Sequence, residues 1–198
     1  MKQVIYTFLL LTLAQMSVHA QGTSPGQKES LFFVKGENLY YAAIESKDIP
    51  PFHILSNHQV INYASCMKVI LQKAGMEVPY AQLINKYLSS SIDSLSVPEK
   101  NRSRKIHGHR VITTYMPCTS SDASQVVSEL LQKRMMIAID KSGHVGLLTA
   151  IAMTAEPDPQ PVHVRLRMPM LPNEEQRVQM SWRDFCNQFN QLVKVCVY

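Results

Sequence analysis

Apolar and polar positions along this chain repeat with a helical period in the first half and a strand period in the second. Residues 59–75 place apolar side chains at Ile61, Ala64, Val69, Ile70 and Leu71 and end on Gly75, the pattern of a helix stopped by glycine. Either Asn62 or Ser65 suits the N-cap; the first puts Cys66 one turn inside the helix, the second puts it at the first helical position. A second helix is expected after Pro79, with Tyr80, Leu83, Ile84, Tyr87 and Leu88 as its apolar stripe. A third is expected over 123–133, with Ser120, Ser121 and Asp122 as caps and Val126, Val127, Leu130 and Leu131 facing inward.

The strand signals start early and then dominate the second half. Residues 31–44 read as one or two short strands around the turn Gly36-Glu37-Asn38. Residues 135–139 form a compact apolar strand, 140–143 a turn and 144–153 a longer strand. Residues 162–167 alternate cleanly, 173–176 read as a turn, 182–189 as a short helix capped by Ser181, and 192–198 as a final strand. The segment 89–121 is serine-rich and then basic, and offers only a strand over 111–115. Helices first and a mostly antiparallel sheet second give an α+β class, in one domain over 31–198.

Composition narrows the setting. Residues 1–20 have a positive start at Lys2, an apolar core over 4–13 and a small-residue cleavage pattern at Val18-His19-Ala20, and are read as a signal peptide. That core is short for a bilayer span, and no later stretch approaches about 18 apolar residues. The expected mature protein is therefore secreted or periplasmic, with no transmembrane helix, and residues 21–30 form a disordered polar leader. The formal charge of +5 falls to +4 when Lys2 leaves with the signal peptide. Lys100, Arg102, Arg104 and Lys105 cluster without interleaved aromatics, which reads as a solvated loop and speaks against nucleic-acid binding. Cys66, Cys118, Cys186 and Cys196 admit two disulfides, or one, such as Cys186–Cys196, with two thiols left over.

Two residues then suggest chemistry. A thiol near a helix N-terminus is biased toward thiolate, and an imidazole at a strand start can serve it as base. Cys66 and His144, with Gln59 upstream as a side-chain donor to a developing oxyanion, are the right types in a workable order. The bland reading of Cys66 is a small core residue or half of a disulfide, and His144 after Gly143 also suits the end of a turn. His107, His109 and Cys118 form a loose set, but no second pair has zinc spacing, so neither a metal nor another cofactor is expected. There is no serine elbow and no phosphate-cradling glycine loop.

The order Gln59–Gly75, then QVVSELLQKRMMIAIDKSGHVGLLTAI, then a Ser181-Trp182-Arg183-Asp184-Phe185 turn resembles the papain-like cysteine peptidases of bacteria. The resemblance is to the bacteriocin-processing type and to secreted effectors whose helix opens Cys-Trp-Ala-Ala-Cys. It implies a papain-like domain with a central helix packed on an antiparallel sheet, and it carries His144 onto the family's catalytic histidine. Counting back from Gly75 without a gap, Asn62 falls on the nucleophile, and Asn62-Tyr63-Ala64-Ser65-Cys66 replaces Cys-Trp-Ala-Ala-Cys, with Cys66 on the second, structural cysteine. Gln59 stands seven residues before Cys66, close to the family's spacing to its nucleophile, but only three before Asn62. The family's Asp-Pro or Asn-Pro, which supplies the third catalytic residue, is Met168-Pro169 here. The resemblance thus implies either a peptidase or amidase acting through Cys66, His144 and Gln59, or an inactive homologue that binds a peptide or protein partner at Asn62.

Overall fold

The computed structural model describes residues 31–34, 37–52, 59–88, 102–119, 122–155, 158–169, 171 and 177–198. The signal-peptide and leader readings at 1–30, the turn at 173–176 and the caps Ser120 and Ser121 lie outside them. Among the described residues nine strands form one antiparallel sheet: β1 Leu31–Val34, β2 Leu39–Ala43, β3 Arg102–Ile106, β4 His109–Pro117, β5 Met136–Asp140, β6 Val145–Thr154, β7 Pro161–Arg167, β8 Arg177–Ser181 and β9 Phe189–Val197. The helices are α1 Gln59–Lys73, α2 Tyr80–Gln82, which runs on as a π-turn over Leu83–Leu88, α3 Ala123–Leu131 and α4 Trp182–Gln188. The class is α+β, mixed helix and antiparallel sheet.

Strand β6 organises the sheet. Its first half pairs with β5 and its second half with β2, while β7 runs along the opposite edge and carries β8 outside it. Beyond β5 the order continues through β9 and β4 to β3. The apolar runs of β5 and β6 are buried on both faces over nearly their whole length, as a continuous rather than alternating pattern requires. Helix α1 packs on β6 and reaches β5 and β9, and α3 packs on β2 and β6.

The chain signals the stop of α1. Gly75, at φ +80°, is left-handed; its N–H bonds to the Gln72 carbonyl and that of Met76 bonds to Leu71, a Schellman closure with Met76 and Leu71 both buried. Helix α3 ends in the same way, Lys133 N–H on Leu130 and Arg134 N–H on Glu129, but the left-handed residue is Lys133 at φ 60°. A lysine there carries a steric cost that glycine avoids. Lys133→Gly is expected to stabilise the protein by about 0.5–1 kcal/mol, read as a rise of about 1–3 °C in thermal midpoint.

Two expectations are corrected. The described helix α1 begins at Gln59, so Asn62 and Ser65 are not caps but buried positions within it. Residues 102–106, read as a solvated loop, form edge strand β3, joined to β4 by a two-residue turn with His107 at φ 46° and Gly108 at φ 89°. This is the backbone of a tight hairpin, with histidine where asparagine is usual, and the charged pattern RSRKI suits an exposed edge. The segment 177–181, which follows the expected turn at 173–176 but has no apolar run of its own, forms strand β8. At α3 Asp122 is the N-cap residue, as expected, but its carboxylate takes the Thr119 N–H and hydroxyl and makes no side-chain bond to the helix. Ser181 does cap α4, accepting from the Asp184 N–H at 3.0 Å.

Candidate functional site

The turn between β5 and β6 is built around Asp140. Its carboxylate is 4% exposed and accepts from the Ser142 N–H at 2.8 Å and the His144 N–H at 2.7 Å. The Asp140 N–H in turn bonds to the His144 carbonyl, and Gly143, left-handed at φ 85°, returns its N–H to the Asp140 carbonyl. An aspartate that opens a turn in this way fixes the residues after it. The second carboxylate oxygen meets His144 Nδ1 at 2.8 Å, which sets the ring's tautomer and leaves Nε2 for another group. Where β5 meets β9 the register shifts between Ile139 and Asp140, a bulge at the base of this turn. The His144 side chain is 46% exposed.

The helix side differs in kind. Cys66 is the eighth residue of α1 and has no exposed surface; Asn62 is the fourth and is 1% exposed. The helix-terminal field falls off within the first turn, so it does not act on Cys66. Burial pushes the Cys66 thiol well above its ordinary pKa, and the nearby Arg167 charge offsets this only in part. Arg167 stacks its guanidinium 5.3 Å from the Phe52 ring centroid and reaches the carbonyls of Ile49 and Pro50. Ser65 touches the Tyr80 hydroxyl at 3.2 Å, and that hydroxyl donates to the Ile61 carbonyl, holding the start of α2 against α1. The Asn62 Oδ1 is buried without a hydrogen-bond partner. Among the described residues no hydrogen bond joins Cys66 to His144. Gln59 opens α1, and its side chain lies outside the described residues.

Met168 is 7% exposed, and a Cβ added to Gly146 would stand 2.5 Å from its sulfur. A thioether therefore lies over the strand two residues beyond His144, and glycine at 146 makes room for it. Met168 is only a weak acceptor and offers nothing comparable to a carboxylate. The group that does orient His144 is Asp140, which sequence reading passed over as the first residue of a turn; the signal was an aspartate opening Asp140-Lys141-Ser142-Gly143-His144.

His107 bonds to Gln82 at the β3–β4 turn, and among the described residues no cluster of three or more His, Cys, Asp or Glu could hold a metal. Among the described residues no helix is long and apolar enough to cross a membrane. Asp140→Ala would remove an acceptor of three hydrogen bonds and is expected to cost about 2–3 kcal/mol by chemical denaturation. It should also release the His144 ring, seen as a change in its tautomer by nitrogen chemical shift.

No protein-family model matches the chain, and no curated protein matches it.

Proposed function

We propose that this is a papain-like domain without the peptidase reaction, one that binds an extended peptide or protein segment beside His144. The observation that carries the reading is the state of Cys66: fully buried two turns into α1, its thiol held neutral by burial, with no bond to the histidine. The resemblance puts Asn62 in register with the nucleophile, and an amide nitrogen does not attack a carbonyl at ordinary pH. It also puts Met168 where the family's carboxylate or amide would orient the histidine. With Asp140 in that role instead, His144 offers a half-exposed, fixed imidazole to a ligand's carbonyl or N–H. The domain thus keeps a presenting histidine while the residues of acyl transfer have gone, in line with the general separation of fold from activity.

The test uses the full chain and a tryptic digest of casein as a source of unstructured peptides. The expected result is a saturable shift of the His144 Hε1 resonance with no new peptide termini by mass. New termini whose formation stops in Cys66→Ala would establish the peptidase reading instead, which the Gln59–Cys66 spacing favours. An unmoved His144 resonance would remove the binding site from this position.

A further inference from the structure

Two cysteines that serve no purpose in the site meet elsewhere in the fold. Cys118 follows β4, is 8% exposed, and donates its backbone N–H to the Asn190 carbonyl at 3.0 Å, which ties it to the start of β9. Cys186 lies on α4, the helix that leads directly into β9, and is half-buried against the core. Pro117 pairs with Gln191 and Cys186 lies four residues before Asn190, so this crossing of the β4 exit and the α4–β9 junction sets the two thiols beside each other, near enough for each to perturb the other.

The remaining cysteines are placed apart. Cys196 pairs with Ile112 well along β9, seven residues past Phe189, or about 23 Å at roughly 3.3 Å per residue. A disulfide spans about 4–7 Å between α-carbons, so the pair Cys186–Cys196 is ruled out by this placement. Cys66 lies within α1 and has no exposed surface.

We infer that Cys118 and Cys186 are a disulfide-forming pair, oxidised by a small-molecule disulfide such as oxidised glutathione. Cys186, the more exposed of the two, loses its proton and attacks one sulfur of the reagent; its Cys186–S bond forms, the reagent's S–S bond breaks, and one thiolate leaves. Cys118 then loses its proton and attacks the Cys186 sulfur, displacing the second thiolate. The chain loses two hydrogens and two electrons, and the reagent is reduced to two thiols. Burial raises both thiols above their ordinary pKa, and the Asp122 carboxylate beside them adds to this. Exchange should therefore be slow at neutral pH and faster at pH 8–9. The bridge would fasten the segment leading into α3 to α4 and close a loop of 69 residues, counted from 118 to 186 inclusive. The export expected for this chain carries it to a compartment where such bonds persist.

The full chain is incubated at pH 8.5 with oxidised glutathione, quenched with iodoacetamide under denaturing conditions, and mapped by peptide mass without reduction. The expected result is a loss of 2 Da per chain, one linked peptide containing Cys118 and Cys186, and alkylation confined to Cys66 and Cys196. The thermal midpoint should rise by roughly 5–12 °C, a rise absent from both Cys118→Ser and Cys186→Ser. Alkylation of both Cys118 and Cys186, a glutathione adduct that persists on Cys186, or linkage of either residue to a different cysteine would each overturn the assignment. The mapping is done on the unmodified sequence, so it stands even where a serine variant folds poorly.

Discussion

Phe185→Ala is expected to destabilise the protein by about 3–5 kcal/mol, the largest single effect of any substitution considered for this fold. Phe185 has no exposed surface and stands between two other aromatics, with ring centroids 5.5 Å from Trp182 and 4.9 Å from Phe189. The three rings link α4 to the start of β9, and α4 also rests on β7 and β8. Truncation removes the transfer free energy of the ring and leaves a void that rigid strands on both sides are poorly placed to fill. Phe185→Leu, which retains most of the volume, should cost less than half as much. The comparison is made by urea denaturation, with equal slopes required for the two midpoints to be read as stabilities. A cost near 1 kcal/mol for the alanine variant would mean that α4 is not part of the cooperative core.

Glu129→Ala is expected to cost about 2–3 kcal/mol at neutral pH. The Glu129 side chain is 4% exposed at the end of α3, and its carboxylate accepts from Arg134 Nε at 2.6 Å, from a second Arg134 nitrogen at 3.2 Å and from Lys194 Nζ at 2.5 Å. These bonds tie α3 and the loop behind it to β9. The two cations keep 38% and 25% of their side-chain exposure, so water can serve them when the carboxylate is gone, which places the cost at the lower end for a broken buried pair. Burial pushes the Glu129 carboxyl up, but the bonds and charges of Arg134 and Lys194 outweigh it and hold the group below its ordinary pKa. A carboxyl depressed in the folded state contributes its stability above its unfolded pKa, about 4.3. That contribution is lost as the pH falls through the lower folded value. The gap between wild type and Glu129→Ala should therefore be constant from pH 7 to pH 5 and narrow below about pH 4. A gap that stays constant through pH 3 would show that Glu129 acts by packing alone.

How much of this was legible depends on whether a segment's own pattern decides its structure. The β5–β6 hairpin and the end of α1 were readable, because a buried apolar run and a glycine at a left-handed position leave few alternatives. The β1–β2 pair was readable from apolar runs on either side of a turn, and β7 from its period-two alternation. Strands β3 and β8 were not, since an edge strand buries little and RSRKI or RVQMS pairs by backbone more than by side chain. The start of α1 was misread because Asn62 and Ser65 are good caps by type, whereas the packed helix buries both. At the candidate site the histidine was legible and its partner was not. Asp140 joins His144 through a turn whose closure depends on Gly143 and on backbone bonds that no residue type announces. The nearness of Cys118 to Cys186 was hidden for a related reason, as only the packing of the α4–β9 junction beside the exit of β4 sets them side by side.

The proposed binding domain and a cysteine peptidase differ in what they require of Cys66, and its reactivity can be read directly. The native, non-reduced chain is treated with iodoacetamide at pH 6 and at pH 8, and the label is located by peptide mass, in wild type and in His144→Ala. The expected result is an unlabelled Cys66 at both pH values, indifferent to His144 and alkylated only after denaturation, as a thiol with no exposed surface and a raised pKa requires. Rapid labelling of Cys66 at pH 6 that collapses in His144→Ala would contradict this account and restore the cysteine peptidase.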